Sequence, residues 1–319
     1  MNPAQNFLAP ILADLAKVEN RMRSLDDHHH QELSNALEHL LSSGGKRIRP
    51  AVALLTGRMY QGNIQRLVSL SAAIELLHTA TLVHDDLIDG ALLRRGIATL
   101  NAKWSPAATV LTGDYIFAQA ARCAAETDSV YLMKQFAKTL AIIVNGEIDQ
   151  LFSTHRYSTR DEYFKRIYAK TASLFELASS AAAHLSNVSD DEVESMRQFG
   201  YALGMAFQIV DDILDFTGAQ ETVGKPVAND LRQGLITLPF ICYLEKHPED
   251  EEVQAVLGGE KANIDKLVND IRDSGAVQDA FQIARDYIRQ AVEILEERPA
   301  CDEQKALKEL SEYVILRHI

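Results

Sequence analysis

Two aspartate triplets carry the sequence's clearest chemistry. Asp85-Asp86-Leu87-Ile88-Asp89 and Asp211-Asp212-Ile213-Leu214-Asp215 share the pattern DDxxD, the second beginning 126 residues after the first, and each follows an apolar run. On a helix, residues i and i+4 lie on one face, so Asp85 points with Asp89 and Asp211 with Asp215. Like charges at that spacing destabilise a helix by about 0.2–0.5 kcal/mol per pair. Two such pairs at the ends of apolar helices therefore call for cations. Carboxylate oxygens suit Mg2+, which keeps some of its water and shares other positions with substrate phosphate. A facing pair of such clusters is expected to grip one diphosphate through bridging metals. One triplet alone would read as an exposed acidic helix end, but the repetition argues against that.

The basic residues extend the pattern. Lys46, Arg47 and Arg49 follow Gly44-Gly45, Arg94 and Arg95 follow the first triplet, and Lys170 and Lys225 stand as isolated cations. Arginine forks and lysine point charges bind phosphate, and paired glycines permit close ligand approach. A lone GGKR stretch would be an ordinary solvated turn. Together with the aspartates it describes a site for two anionic groups, one on metals and one on Lys and Arg alone.

These side chains need long helices to position them. Pro106 and Pro226 bracket 119 residues without proline, and the chain has only 8 prolines. Helix interiors exclude proline by about 3 kcal/mol, so this distribution favours helix. Apolar residues recur at helical spacing, as in Leu67, Leu70, Ile74, Leu77, Thr81 and Ile88, and hairpin signals are absent. Further helical runs cover 107–126, 130–152, 161–186, 190–217, 235–246 and 276–297. Loops are expected near 42–49, 90–105, 153–159, 217–234 and 247–262. The expected fold is all-α, a single domain over 1–319 of ten or more helices. His28, His29 and His30, beside Asp26 and Asp27, read as a solvated loop or helix end.

Bulk properties exclude other classes. A net charge of −13 argues against nucleic acid as partner. Cys123, Cys242 and Cys301 are scattered and odd in number, which fits reduced thiols. No secretory signal is evident, and the apolar stretch from Leu67 to Val83 is interrupted by Glu75 and His78, as befits a core helix with no transmembrane segment. The expected localisation is cytoplasmic.

The order GGKRIRP (44–50), HTATLVHDDLIDGALLRRG (78–96), GDYIFAQA (113–120), GEIDQL (146–151), AKTASLF (169–175), FQIVDDILDF (207–216) and GKPVANDLRQGLITLP (224–239) resembles the trans-isoprenyl (polyprenyl) diphosphate synthases. The resemblance covers about residues 40–240. It implies an isoprenoid synthase helical bundle around a deep central cavity, a homodimer, and two or three Mg2+ per active site. It places metal on Asp85, Asp89, Asp211 and Asp215, with Asp86 and Asp212 in support. Lys46, Arg49, His78 and Arg95 match residues that hold isopentenyl diphosphate. Arg94, Lys170, Thr171, Gln208 and Lys225 match those that hold the allylic diphosphate, with Arg94, Lys170 and Lys225 also serving catalysis.

The implied reaction is a head-to-tail (1'-4) condensation. Metal and cations stabilise negative charge as diphosphate leaves the allylic substrate. The isopentenyl double bond attacks the resulting cation, and a proton is lost to the departed diphosphate. One departure from the family pattern is Leu235, where short-chain members commonly carry a second lysine. Product length in the family tracks the helix below the first motif. Ala80 and Thr81 are small where short-chain members often place an aromatic ring, and Leu77 and Ile74 lie further down. A helix turn of about 5.4 Å admits about one isoprene unit. With Met133, Phe136 and Phe117 as candidates for a deeper floor, a medium- to long-chain product is expected. The alternatives are a short-chain (farnesyl or geranylgeranyl) synthase, or the catalytic subunit of a heteromeric synthase.

Rival readings leave residues unused. A histidine-aspartate phosphohydrolase could employ His78 and His84-Asp85, but leaves the second triplet and GGKRIRP unexplained. A class I terpene cyclase would have no use for a second diphosphate pocket, and an aromatic content of 7% is low for cation-stabilising walls. A purely structural subunit would not keep both motifs.

Overall fold

The computed structural model describes residues 3–24, 30–42, 45–94, 96–152, 159–217 and 227–316. In chain order the helices are α1 (Leu12–Arg23, entered by a 3-10 turn), α2 (Gln31–Ser42), α3 (Ile48–Met59), α4 (Ile64–Ile88), α5 (Leu100–Lys103), α6 (Pro106–Ala125), α7 (Val130–Phe152), α8 (Arg160–Ile167), α9 (Ser173–Leu185) and α10 (Asp190–Thr217). There follow α11 (Asn229–Arg232), α12 (Leu238–Lys246), α13 (Glu251–Leu257), α14 (Ile264–Asp273), α15 (Ala276–Glu296) and α16 (Asp302–Leu316). Among the described residues the only strands are β1 (Leu93–Arg94) and β2 (Ile97–Ala98), a two-residue antiparallel ribbon. The expected all-α class is what the chain adopts.

The chain gathers into two compact units. The first comprises Met1–Leu140, Leu174–Arg197 and Leu295–Glu309, and the second Ala141–Ser173, Gln198–Ile294 and Leu310–Ile319.

In the first unit α4 is the central element and packs against α1, α3 and α6. Asn63 starts it, its side chain accepting from the amides of Gln65 and Arg66 at 3.0 and 3.2 Å. Leu67, Leu70, Ile74 and Leu77 on α4 have no exposed surface. Gly57 lets α3 lie close, because a β-carbon there would stand 2.3 Å from Leu67 Cδ2. By length and composition α4 could cross a bilayer, yet 67% of its most apolar window is buried inside the protein. Pro106 enters α6 in the first turn, where its missing N–H is no loss, and Ser105 caps that turn.

In the second unit Thr159 and Glu162 form a reciprocal capping box that starts α8. The run expected as one helix over 161–186 is α8, a π-helical turn at Tyr168–Ala172, and α9. Arg272 on α14 donates from Nε to the Phe216 carbonyl at 2.7 Å, answering a carbonyl left over at the end of α10. The loop expected over 247–262 contains α13, nucleated by Asp250, whose carboxylate accepts from the amides of Glu252 and Val253. The three cysteines are free thiols. His28 and His29 lie outside the described residues, and His30 is exposed.

Candidate functional site

In the first unit, α4 ends on the first triplet. Asp85 is half-buried, Asp86 is buried and Asp89, the C-cap, is exposed. The chain then reverses: Gly90 at φ +63° makes the turn, and the amide of Ala91 closes on the Asp86 carbonyl at 2.8 Å. The ribbon pairs Leu93 with Ala98 and Arg94 with Ile97, and Thr99 ties it down by donating to the Ala91 carbonyl at 2.7 Å. Arg94 thereby folds back on the motif, its Nε and Nη2 both 2.8 Å from Asp86 Oδ1. Asp86 is the anchor of Arg94, leaving Asp85 and Asp89 as the carboxylates one turn apart. The Arg94 side chain is 39% exposed, within reach of an anionic ligand.

The three basic residues before α3 divide in role. Arg47 takes a left-handed backbone (φ 48°), and its guanidinium turns inward to Glu75 Oε1 at 2.8 Å and the Leu41 carbonyl at 3.1 Å. The charge that interrupts apolar α4 is thus the partner of Arg47, and the pair holds the basic loop to the core. Lys46 is exposed, while Arg49 is half-buried with Cζ 4.8 Å from the Phe175 ring centroid. His78 is half-buried two turns before Asp85. His84 packs into α6: its Nε2 is 3.2 Å from the Val110 carbonyl, and a β-carbon at Gly113 would stand 2.2 Å from it. That contact explains the glycine of GDYIFAQA and gives His84 a packing role.

Of the product-length residues, Ala80, Leu77 and Ile74 have no exposed surface, whereas Thr81 is half-buried with its hydroxyl on the His78 carbonyl at 2.7 Å. Phe117 and Met133 are half-buried and Phe136 is buried.

In the second unit, α10 ends on the second triplet. Asp211 is half-buried, and Asp212 is buried with its two oxygens engaged separately. Tyr163 donates to Oδ2 at 2.7 Å and the Gln208 amide to Oδ1 at 2.8 Å, while Gln208 accepts from the Thr171 hydroxyl at 2.6 Å. Burial pushes Asp212 up to about 7, against the lowering pull of Tyr163 and Gln208. Asp215 faces a different task, since its carboxylate accepts from the amides of Asn229 and Asp230, each at 3.1 Å, and caps α11.

Lys170 and Thr171 ride on the π-helical turn, a form frequent at functional sites. Lys170 is 38% exposed and lies 2.9 Å from Glu147 of α7. Next to Glu147, Gly146 admits the turn so closely that an added β-carbon would be 2.6 Å from Ala169 Cβ. Glu147, Tyr163 and Arg166 carry no signal in the sequence that marks them, apart from the place of Glu147 within GEIDQL. Arg166 stacks over Tyr163 with Cζ 5.5 Å from the ring centroid and donates to the Ile236 carbonyl. Leu235 is half-buried and follows Gly234 at φ +81°. Arg95 and Lys225 lie outside the described residues.

Both triplets sit at helix C-termini, where the macrodipole is already negative. Carboxylates there repel the helix end as well as one another, so the donor set fits a hard cation. Among the described residues no three His, Cys, Asp or Glu side chains converge into a ready cage. Magnesium suits such a set, because it takes one or two carboxylates and completes its shell with phosphate and water.

Comparison with known proteins agrees with this chemistry. The family described as Polyprenyl synthetase matches residues 30–273. The heptaprenyl diphosphate synthase component 2 of Geobacillus stearothermophilus is 36% identical over 307 residues, covering 94% of this chain and 95% of that protein. The geranylgeranyl diphosphate synthase of Saccharolobus solfataricus is 34% identical over 314 residues, with coverage of 94% and 95%. Among solved structures, the polyprenyl synthase of Caulobacter crescentus, complexed with calcium and isoprenyl diphosphate, superposes with a TM-score of 0.92 at 34% identity, covering 99% of this chain and 98% of that one.

Proposed function

The chain belongs to the polyprenyl synthetase family and is a prenyltransferase, and on that premise we propose that it is a magnesium-dependent trans-polyprenyl diphosphate synthase with a medium- to long-chain product. The observation that carries the reading is the repeated device of a long helix ending on paired aspartates, with Arg94 paired to Asp86 in the first and the π-helical turn of Lys170 and Thr171 tied through Gln208 to Asp212 in the second.

Asp85, Asp89 and Asp211, with Asp215, would hold magnesium, which when bound supplies Lewis-acid neutralisation of diphosphate charge. Lys170, Thr171, Gln208, Arg94 and Lys225 bind the allylic diphosphate and stabilise the charge that grows on it as the carbon–oxygen bond breaks. Lys46, Arg49, His78 and Arg95 hold isopentenyl diphosphate so that its double bond meets the allylic carbon. A carbon–carbon bond forms, one proton leaves to the released diphosphate, and the product is an allylic diphosphate five carbons longer. Repetition extends the chain.

Small residues at Ala80 and Thr81 support a longer product, since neither sets a bulky ring below Asp85. A homodimer is supported by α7, where Ala141, Val144, Ile148 and Leu151 follow 3-4 spacing and are exposed. Free thiols and the buried apolar face of α4 support a cytoplasmic protein. The similarity to a component 2 protein favours one second reading, a catalytic subunit that needs a partner chain.

Purified chain incubated with Mg2+, farnesyl diphosphate and labelled isopentenyl diphosphate, followed by dephosphorylation and sizing, tests these readings together. Elongated linear prenols support the synthase. Elongation that stops at geranylgeranyl length supports the short-chain alternative, and silence relieved by a second subunit supports the heteromer. Cyclised hydrocarbon or free phosphate without elongation would end the proposal.

A further inference from the structure

We propose that Tyr163 is a positioning residue for prenyl transfer, acting through Asp212 on Asp211 and through Gln208 on the Lys170-Thr171 turn. The proposal rests on the synthase reading and assigns a role to a residue that has no exposed surface.

Tyr163 has no exposed surface and Asp212 is 5% exposed. Its hydroxyl reaches Asp212 Oδ2 at 2.7 Å, Gln208 reaches Oδ1 at 2.8 Å, and Thr171 reaches Gln208 at 2.6 Å. Three hydrogen bonds therefore join α8, α10 and the π-helical turn in one line. Asp212 cannot swing outward to a cation without breaking two of them and leaving buried donors unpaired. Consecutive helical residues differ by about 100° around the axis, so fixing Asp212 inward fixes the direction of Asp211. The far end of the same line holds Thr171, the neighbour of Lys170. One buried carboxylate thus sets the spacing between a metal-binding aspartate and a diphosphate-binding lysine.

That spacing matters because an error of 1 Å in a reacting geometry lowers rates by about 100-fold. A phenylalanine would fill the ring's place beside Phe164, 5.5 Å away, and beneath Arg166. Only the hydroxyl would be lost. The arrangement also gives the middle aspartate of the second triplet a task although that side chain faces the interior.

The test is Tyr163→Phe in the full chain, with Asp212→Asn and the double variant alongside. The expected result is a kcat lowered by about 10-fold or more and a Mg2+ half-saturation raised severalfold, with KM for isopentenyl diphosphate held within about twofold. A readout without turnover is the rise in thermal midpoint on adding Mg2+ and inorganic pyrophosphate. This rise should shrink by about half in Tyr163→Phe, as binding linkage requires. The double variant should be no worse than Asp212→Asn, since both changes cut the same link. A Tyr163→Phe protein with a lower midpoint but unchanged kcat, Mg2+ half-saturation and pyrophosphate shift would reduce Tyr163 to a core residue and overturn the proposal. Multiplying effects in the double variant would also overturn it. Should Tyr163→Phe not fold, Asp212→Asn decides alone, and an unchanged Mg2+ half-saturation there sinks the idea. Wild-type elongation reports separately on the synthase reading, so the two failures are distinguishable.

Discussion

Gly146 lies so close to Ala169 that a β-carbon at position 146 would stand 2.6 Å from the Ala169 β-carbon. The contact seats the π-helical turn against α7, and the next residues on each side, Glu147 and Lys170, form an ion pair at 2.9 Å. Gly146→Ala should therefore push the turn away and misplace Lys170. We expect a loss of about 1–3 kcal/mol in unfolding free energy and a KM for the allylic substrate raised more than that for isopentenyl diphosphate. Urea titration and steady-state kinetics on the one variant check both parts.

Arg47 and Lys46 should separate stability from binding. Arg47 and Glu75 have side chains 13% and 8% exposed, so removing one partner strands a buried charge. Arg47→Ala should cost about 3 kcal/mol or more. Lys46→Ala should change stability by no more than about 0.5 kcal/mol while raising KM for isopentenyl diphosphate. Equal stability losses in both variants would contradict the division of roles.

These two residues also mark what could be read from sequence. The basic cluster was legible as a cluster, because three cations in an acidic chain are conspicuous, but its division was not. A left-handed backbone at Arg47 turns that side chain inward, and no residue type announces it. Helix limits at 130–152 and 190–217 were legible because apolar periodicity ran unbroken to capping positions. The π-helical turn was hidden inside 161–186, since one inserted residue leaves composition and apolar content unchanged. The i,i+4 spacing of the triplets pointed to cations. Spacing alone could not tell that Asp86 and Asp212 face protein partners, or that Asp215 caps a later helix. Those assignments depend on segments distant in sequence, namely the ribbon, α8 and α11.

Asp211 and Asp215 should consequently respond differently. Asp211→Ala should lower kcat by about 100-fold or more, as expected when electrostatic support for a leaving group is removed, with little change in stability. Asp215→Ala releases the two amides at the start of α11 and should lose about 1–2 kcal/mol. Faster hydrogen exchange confined to residues 227–232 would confirm the capping role. Unchanged exchange there would refute it.

Asp14 supplies a pH dependence unrelated to catalysis. Its side chain is 4% exposed and lies 2.8 Å from Lys17 and 2.7 Å from Arg58. Burial pushes its carboxyl up, but the hydrogen bonds and charges of Lys17 and Arg58 together prevail and hold it below the ordinary 3.8. A depressed folded-state value means that the stabilisation is present above 3.8 and is lost as pH falls through the folded value. Asp14→Asn should be less stable than wild type at neutral pH, with the gap closing as the pH drops below 3.8. Thermal midpoints of both proteins across that range measure it, and a gap independent of pH would remove the ion pair as its cause.

Product length offers the most demanding test, because two adjacent residues differ in packing. Ala80 has no exposed surface, while Thr81 is half-buried. A ring introduced at Thr81 can occupy accessible space, whereas a ring at Ala80 must also displace packed neighbours at a cost of about 1–3 kcal/mol. Both Ala80→Phe and Thr81→Phe should shorten the product, and only Ala80→Phe should clearly lower the thermal midpoint. Sizing dephosphorylated products from both variants against wild type decides the matter. If neither variant shifts the distribution, the tail does not pass this stretch of α4, and Ala80 and Thr81 are small for helix packing alone.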